Sequence, residues 1–322
     1  MEALFLTGKT VLGLAMLILG AEGLVRGSSS LARRLGVSRL MVGLTVVALG
    51  TSLPEIAVAI ASAGKGANEL VWGNVIGSNI ANGALVLGAA ALLMPLTVDR
   101  DILRRDMPML ILATLVTVVA AAFDILSFGA GIVLIATGFL ANALIIKDGL
   151  KLRAANKANG NNNNNGDEIA VWLVSLYILS GGTLLYFGAD IVVEGAVGLG
   201  KILGLSEAFI GITVVALGTS LPELVTTIWA GIRNEPDLSV GNVVGSNIMN
   251  LAFALGPAAI ISKVEIRYPV LDLGMLIAIT LVMLIFFLTG KKIVRWEGAV
   301  LVAIYFAFIT LSYLVNTGVI II

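Results

Sequence analysis

Long apolar runs, separated by short polar connections, extend through nearly the whole chain. A membrane-spanning α-helix needs about 20 consecutive and mainly apolar residues. Ten segments satisfy this requirement, with soft boundaries: 3–26, 38–63, 70–94, 107–123, 126–146, 169–193, 206–231, 238–261, 269–289 and 297–316. We therefore predict an all-α polytopic membrane protein with ten transmembrane helices, surrounded by a lipid bilayer.

The second half of the chain repeats two blocks of the first half. GLTVVALGTSLPE at Gly43–Glu55 returns as GITVVALGTSLPE at Gly211–Glu223, and GNVIGSN at Gly73–Asn79 returns as GNVVGSN at Gly241–Asn247. Both blocks are displaced by 168 residues, and 22 of the 40 positions from the start of the first block are identical between the copies. This identity indicates an internal duplication, and internal repeats are typical of secondary transporters.

An asparagine-rich stretch separates the two copies. The tract Asn159–Gly166 has no apolar side chain to bury, so it is expected to be a flexible linker. We predict a first five-helix repeat at residues 1–147, a cytoplasmic linker at 148–168 and a second five-helix repeat at 169–322.

The basic residues predict the orientation of the helices. The connections after helices 1, 3, 5, 7 and 9 carry 15 of the 20 lysines and arginines. Cytoplasmic loops are enriched in these residues, so both termini are expected to be extracellular in a multi-pass protein of the cell membrane. Five is an odd number, so the second repeat must be inverted relative to the first, about a pseudo-two-fold axis in the membrane plane.

The composition excludes several classes of function. Hydrophobic residues form 58% of the chain, charged residues only 12%, and the mean hydropathy is +1.04. The net charge of zero gives no reason to expect nucleic acid as a partner. The chain has neither cysteine nor histidine, so it contains no disulfide, no thiolate or imidazole metal ligand and no histidine base. We expect no enzymatic activity and no cofactor, and any bound ion must be held by oxygen atoms.

The repeated GTSLPE sequence concentrates oxygen donors in the middle of an apolar segment. Pro54 lacks an N–H group and clashes with the carbonyl four residues earlier, so we predict a helix break that frees the carbonyl groups from Ala48 to Thr51. Thr51 and Ser52 add hydroxyl groups, and Glu55 adds a carboxylate. A carboxylate at membrane depth is by default functional. The second copy contains the equivalent residues Ala216, Thr219, Ser220, Pro222 and Glu223.

The GNVIGSN blocks are expected to form the facing wall of the same site. Ser78 and Asn82 are four residues apart and share a helix face, as do Ser246 and Asn250 in the second copy. Carboxylate, carbonyl and hydroxyl oxygens are suitable ligands for Ca²⁺ and for other hard cations such as Na⁺. Small residues four positions apart allow close helix packing, and the blocks contain two such pairs, Gly73 with Gly77 and Gly241 with Gly245.

Other acidic residues near the membrane have simpler explanations. Glu22 and Asp190 are equivalent in the repeat, and we expect them near the cytoplasmic ends of helices 1 and 6. There, hydration or pairing with Arg26 or Arg34 accounts for them. Glu194 is expected to be solvated at a loop edge.

GTSLPE followed by GNVIGSN, present twice and inverted, resembles the two alpha repeats of the sodium/calcium exchanger family. This family belongs to the cation/calcium antiporter superfamily, and ten helices with a short central loop resemble its compact prokaryotic members. The resemblance covers nearly the whole chain. It implies a secondary antiporter that exchanges Na⁺ for Ca²⁺ by alternating access to one site in the middle of the membrane.

The resemblance also implies a role for each site residue. Glu55 and Glu223 would bridge the Ca²⁺ ion, and the carbonyl groups of Thr51 and Thr219 would complete its coordination. The two asparagines, Asn82 and Asn250, would lie at the middle level of the site. The Na⁺ ions would use the same carboxylates, with Ala48, Ser52 and Ser78 in one half and Ala216, Thr219, Ser220 and Ser246 in the other.

This chain departs from the family pattern at Asn250, where family members often carry aspartate. Two carboxylates give a site charge of −2, which one Ca²⁺ or two Na⁺ would balance, so the stoichiometry and any proton coupling stay open. A Ca²⁺/H⁺ antiporter or a K⁺-linked antiporter is therefore an alternative. A Ca²⁺-permeable channel is a further one, although channels usually assemble a ring of identical subunits around the pore. We expect a monomer, because each chain contains a complete site.

Overall fold

The computed structural model describes residues 2–123, 126–158, 170–204, 216–262, 264, 270–290, 292–316 and 319. Most of them are helical. The helices are α1 (Glu2–Leu35), α2 (Arg39–Gly64), α3 (Asn68–Leu93), α4 (Ile102–Ala122), α5 (Phe128–Ala158), α6 (Val171–Ile202), α7 (Leu221–Ile232), α8 (Pro236–Ile261), α9 (Val270–Gly290) and α10 (Arg295–Asn316).

These helices confirm the prediction of an all-α polytopic membrane protein. In the described part of the chain, nine helices are long and apolar enough to cross a bilayer, and α7 is a shorter apolar helix. A helical turn at Ala216–Gly218 precedes α7. The first part of the predicted seventh span, residues 206–215, lies outside the described residues. Helix α1 continues to Leu35, well beyond the predicted end of the first span at residue 26.

The odd-numbered connections meet one another at one end of the helices. Arg39, which follows the α1–α2 connection, forms an ion pair with Glu235 of the α7–α8 connection. The α3–α4 connection contains strand β1 (Leu96–Thr97), which pairs antiparallel with strand β2 (Lys292–Ile293) between α9 and α10. These connections therefore lie at the same end of the helix bundle.

Even-numbered connections meet at the other end. The Ser262 hydroxyl at the end of α8 donates to Asn68 Oδ1 at the start of α3, 3.3 Å away. The Val264 N–H in the α8–α9 connection donates to the Leu126 carbonyl in the α4–α5 connection, 3.1 Å away. The helices thus alternate in direction, and equivalent helices of the two halves run in opposite directions.

The crossing of α1 and α6 shows this inversion directly. A Cβ atom added to Gly13 would lie 2.8 Å from the carbonyl oxygen of Gly188, and one added to Gly20 would lie 2.8 Å from that of Gly181. Residues later in α1 therefore contact residues earlier in α6, so the two helices are antiparallel. Gly13 is the repeat equivalent of Gly181, and Gly20 is that of Gly188. When each glycine is replaced by its repeat equivalent, the same two contacts result, as expected for an inverted repeat.

The same crossing overturns the expectation for Glu22 and Asp190. Because α1 and α6 are antiparallel, the end of α6 that carries Asp190 lies beside the beginning of α1, at the opposite end from Glu22. Glu194 pairs with Lys9 there and is not simply solvated. Glu22 is hydrogen-bonded to Arg233 of the α7–α8 connection, and Arg26 of its own helix also attracts it, as expected.

Helices α3 and α8 form the centre of the protein, and α1 and α6 lie at its edge. In the most apolar windows of α3 and α8, 78% of the residues are buried, against 17% for α1 and 22% for α6. The GNVIGSN and GNVVGSN blocks belong to the two central helices. The residues predicted to form the site are therefore carried by the most enclosed part of the fold.

Candidate ion-binding site

Two carboxylates, one from each half, are fully buried in the centre of the helix bundle. Glu55 on α2 and Glu223 on α7 both have 0% solvent exposure. The Ser52 hydroxyl donates to Glu223 Oε1 over 3.0 Å, and Ser52 lies one helical turn before Glu55. The Ser78 hydroxyl lies 3.5 Å from Glu55 Oε1, at the outer limit of a hydrogen bond. Both carboxylates are thus held in one polar cluster between the halves.

Two hydroxyl contacts link the halves symmetrically. Thr51 Oγ1 lies 3.3 Å from Ser246 Oγ, and the equivalent pair, Ser78 Oγ and Thr219 Oγ1, lies 3.4 Å apart. In each pair the threonine comes from a GTSLPE block and the serine comes from the central helix of the other half. The prediction that the two kinds of block face each other therefore corresponds to the observed geometry.

Two asparagines that the sequence argument did not assign support the glutamates. Asn74 Nδ2 donates to the carbonyl oxygen of Glu55 over 2.9 Å. Its equivalent, Asn242 Nδ2, lies 3.5 Å from the carbonyl oxygen of Glu223. A signal for them was present, because Asn74 precedes Ser78 by four residues and Asn242 occupies the equivalent position, so both lie on the face that carries the predicted ligands.

Several buried oxygens of the cluster have no hydrogen-bond partner within the described part of the structure. They are Oε2 of Glu55, Oε2 of Glu223, Oγ of Ser220 and the side-chain oxygens of Asn82 and Asn250. Buried polar atoms in folded proteins are normally paired, so such a concentration requires an explanation. Carboxylate, hydroxyl and amide oxygens are hard donors, and a bound hard cation would satisfy them.

The buried asparagines begin irregular turns in the central helices. A π-helical segment starts at Asn82 (Asn82–Val86) and another starts at the equivalent Asn250 (Asn250–Leu255). Both side chains have 0% exposure. Single π-helical turns inside α-helices often occur at functional sites. These turns were not predicted, although Gly83 in the first segment and Pro257 directly after the second are poor helix formers.

The predicted break at the GTSLPE prolines is wrong for the first half and correct for the second. Pro54 lies inside an unbroken α-helix, Ala48–Gly64, and the irregular turn is the π-helical segment Gly43–Val47 before it. Pro222 instead stands in the first turn of α7, directly after a non-helical turn at Ser220. A proline in the first turn of a helix has no hydrogen bond to lose, and this position is preferred for it.

Ala48 and Ala216, the two alanines of the predicted site, are each the first residue of a helical segment. Ala48 is fully buried and follows the π-helical segment of α2 directly. Ala216 is the first residue of the turn before α7, and its side chain lies outside the described part of the structure.

Close glycine packing is found where both partners are described. A Cβ atom added to Gly245 would lie 2.6 Å from the carbonyl oxygen of Leu44, and one added to Gly241 would lie 3.0 Å from that of Leu40. This geometry confirms the packing role predicted for the second glycine pair. For Gly73 and Gly77, the equivalent partners would be residues 208 and 212, which lie outside the described residues.

Comparison with known proteins identifies the family. The sequence profile described as "Sodium/calcium exchanger protein" matches residues 5–146 and again residues 173–314. The chain belongs to the sodium/calcium exchanger family. The two matches begin 168 residues apart, at 5 and at 173, which is the displacement of the repeated blocks.

Relatives of the chain and a solved structure extend over nearly its full length. Sodium/calcium exchanger MaX1 of Methanosarcina acetivorans is 35% identical, over 94% of this chain and 97% of the relative. Inner membrane protein YrbG of Escherichia coli is 36% identical, over 82% of each chain. The sodium-calcium exchanger NCX_Mj, in a structure soaked with zero Na⁺ and Ca²⁺, superimposes with a TM-score of 0.82. It has 30% identity over 96% of this chain and 99% of that one.

Proposed function

We propose that this member of the sodium/calcium exchanger family is a secondary antiporter that exchanges Na⁺ for Ca²⁺ at the cluster between its halves. The observation that carries the proposal is the meeting of Glu55 and Glu223, two fully buried carboxylates from opposite repeats, in one cluster of hydroxyl and amide groups. Membrane-embedded acids of this kind mark ion pathways, and inverted-repeat transporters bind their substrates at the repeat interface.

The charge of the cluster explains how the two ions would be coupled. Two ionised glutamates give −2, which one Ca²⁺ or two Na⁺ would neutralise, and three Na⁺ would leave +1. Moving an unbalanced buried charge through a low-dielectric barrier is costly. The occupied site therefore reorients more readily than the empty one, and exchange of one ion for the other follows.

We propose that the cluster residues divide the coordination between them. Glu55 and Glu223 bridge the Ca²⁺ ion, assisted by the carbonyl groups of Thr51 and Thr219. Asn82 and Asn250 hold the middle level of the site. The Na⁺ ions use the same carboxylates, with Ala48, Ser52 and Ser78 in one half and Ala216, Thr219, Ser220 and Ser246 in the other.

We further propose that α1 and α6 move against the other helices to expose the cluster to alternate sides. Support comes from their position at the edge of the bundle and from the glycines that line their mutual crossing. The excess of basic residues in the odd-numbered connections favours a cytoplasmic linker and extracellular termini. Because one chain contains both glutamates, a monomer suffices for transport.

Transport by the purified protein tests this function. Proteoliposomes loaded with Na⁺ and diluted into Na⁺-free buffer should accumulate ⁴⁵Ca²⁺, and uptake should saturate with Ca²⁺ concentration. Vesicles loaded with K⁺, and vesicles given a pH jump without Na⁺, are the controls. Uptake driven by K⁺ or by the pH jump would show that K⁺ or H⁺, and not Na⁺, is the coupling ion. Uptake that does not saturate with Ca²⁺ concentration would favour a channel.

A further inference from the structure

A second polar cavity lies away from the glutamate cluster, between α1 and the α7–α8 connection. Its volume is about 360 Å³. Neither Glu55 nor Glu223 lines it. Its polar lining comes from Glu22, Arg26, Ser29 and Arg33 of α1 and from Arg233 and Glu235 of the connection.

Three of the lining residues form one stripe along α1. Arg26, Ser29 and Arg33 are separated by three and four residues, so their side chains project from the same face of the helix. The Ser29 side chain is only 5% exposed, and its hydroxyl has no hydrogen-bond partner in the described part of the protein. A buried, unpaired hydroxyl that faces a cavity indicates a missing polar ligand.

Both carboxylates of this cavity already have guanidinium partners. Glu22 accepts hydrogen bonds of 2.8 Å from Arg233 Nε and from Trp229 Nε1. Glu235 is paired with Arg39. The lining therefore holds two carboxylates, Glu22 and Glu235, against three guanidinium groups, which leaves an excess of one positive charge.

The two arginines of the α1 stripe form no close ion pair with a carboxylate among the described residues, although the charge of Glu22 acts on Arg26 from one helical turn away. Arg33 donates to the hydroxyl of Ser30 over 3.0 Å, and the Arg26 guanidinium lies 5.3 Å from the ring centre of Tyr177. The cavity therefore combines two available guanidinium groups with one available hydroxyl.

We propose that this cavity binds a phosphate group through Arg26, Arg33 and Ser29. Guanidinium groups match phosphate oxygens in geometry, and charge-assisted hydrogen bonds to phosphate are strong. The odd-numbered connection at this end of α1 belongs to the basic side of the protein, where basic pockets between helices receive phospholipid headgroups. The phosphate comes from an anionic lipid headgroup or from a soluble phosphate compound. Once bound, it ties α1 to the α7–α8 connection.

The test measures binding directly and does not depend on transport. Purified protein in phosphatidylcholine nanodiscs is titrated with short-chain phosphatidylglycerol in one arm and with inorganic phosphate in the other, and the rise in melting temperature is recorded. We expect a saturable rise in at least one arm. The double variant Arg26→Gln/Arg33→Gln should weaken the binding by about tenfold or more, because two charge-assisted hydrogen bonds are lost.

A matched double variant distinguishes binding in this cavity from attraction by the overall charge of the protein. Arg100→Gln/Arg104→Gln removes two exposed arginines from the same basic side, outside the cavity, and it should bind as the wild type does. A response to phosphatidylglycerol alone assigns the site to a lipid headgroup, and a response to phosphate alone assigns it to a soluble compound. No saturable response in either arm would overturn the proposal, as would equal losses in the two double variants.

Ser29→Ala provides a test that keeps every charge of the cavity. Loss of the hydroxyl should weaken binding severalfold. Unchanged affinity in both Ser29→Ala and Arg26→Gln/Arg33→Gln would contradict the assignment. Each variant is first checked for a single monodisperse peak and for Na⁺-dependent ⁴⁵Ca²⁺ uptake in phosphatidylcholine vesicles, so that a loss of binding is not a loss of fold.

Discussion

The two copies of GTSLPE have the same sequence and different structures. In the first half, α2 continues without a break through Pro54. In the second half, the chain leaves the helix at Thr219 and Ser220, and α7 starts at Leu221. Because the residues are identical, their intrinsic preferences cannot cause the difference, and the tertiary surroundings must.

The surroundings of the two threonines differ in the corresponding way. The Thr51 hydroxyl lies 3.0 Å from Asn242 Oδ1, to which it donates, and 3.3 Å from Ser246 Oγ. The equivalent Thr219 is half-buried, and among the described residues its hydroxyl contacts only Ser78. Among the described residues, the first copy thus has a hydrogen bond to Asn242 on the central helix of the opposite half that the second copy does not have with the equivalent Asn74.

One sequence that is stable in two conformations can serve as a two-state element. Ions that bind the two states differently shift the population between them. In an inverted repeat, exchange of the two conformations between the halves would present the same site to the opposite side of the membrane. We expect the two copies of GTSLPE to exchange their conformations during transport.

The largest effect is expected from replacing the buried glutamates, which the two halves have in common. Glu55→Gln and Glu223→Gln should each reduce Ca²⁺ uptake by about 100-fold or more, because removing one of two buried charges leaves the divalent ion uncompensated. Initial rates of Na⁺-driven ⁴⁵Ca²⁺ uptake measure this. Glu69→Gln, which alters an exposed glutamate at the start of α3, is the control and should transport normally. Wild-type uptake by either site variant would mean that the site is elsewhere.

A second test concerns the crossing of α1 and α6, where the halves are alike. Gly13→Ala and Gly181→Ala should each lower the free energy of unfolding by about 1–3 kcal/mol, because the new methyl group would meet backbone atoms within 3 Å. Melting temperatures of the purified variants should fall by similar amounts. Gly182→Ala is the control, since its methyl group would meet no described atom within 4 Å. Equal melting temperatures for all three variants would refute the symmetric crossing.

Asn242 and Asn74 are equivalent in the repeat but form different hydrogen bonds, so variants at these two positions test whether that difference matters. Asn242 contacts Thr51, Thr227 and the Glu223 carbonyl, whereas Asn74 donates to the Glu55 carbonyl alone. Each lost hydrogen bond weakens the arrangement by about 1 kcal/mol, which corresponds to about fivefold in affinity, so Asn74→Ala should raise the KM for Ca²⁺ by about fivefold and Asn242→Ala by about 30-fold or more. Saturation curves of ⁴⁵Ca²⁺ uptake give both values. Equal increases in KM for the two variants would show that the difference in hydrogen bonding between Asn242 and Asn74 has no effect on Ca²⁺ affinity.

The smallest effect is expected from adding a carboxylate at the middle level of the site. Asn250→Asp introduces a group for which protons and cations compete, so uptake by this variant should depend on pH more steeply than uptake by the wild type. Asn82→Asp makes the equivalent change in the first half and should behave similarly. A pH profile of Asn250→Asp that matches the wild type would show that this position does not couple to protons.

Features carried by periodicity and duplication could be predicted from the sequence. Nine of the ten spans, the antiparallel arrangement of α1 and α6 and the meeting of Glu55 and Glu223 in one cluster follow from apolar length, an odd helix number and two copied blocks. The π-helical turns at Asn82 and Asn250 were not predicted, because Gly83 and Pro257 weaken a regular helix there but do not determine which irregular form packing selects. The unbroken helix at Pro54 was missed for the same reason.

Equilibrium binding of Ca²⁺ to the purified protein tests the shared site between the halves most directly. We expect one Ca²⁺ per chain, displaced by Na⁺ in competition, and no binding to the double variant Glu55→Gln/Glu223→Gln. Binding that persists in the double variant, or that Na⁺ leaves unchanged, would contradict a single shared site between the two halves.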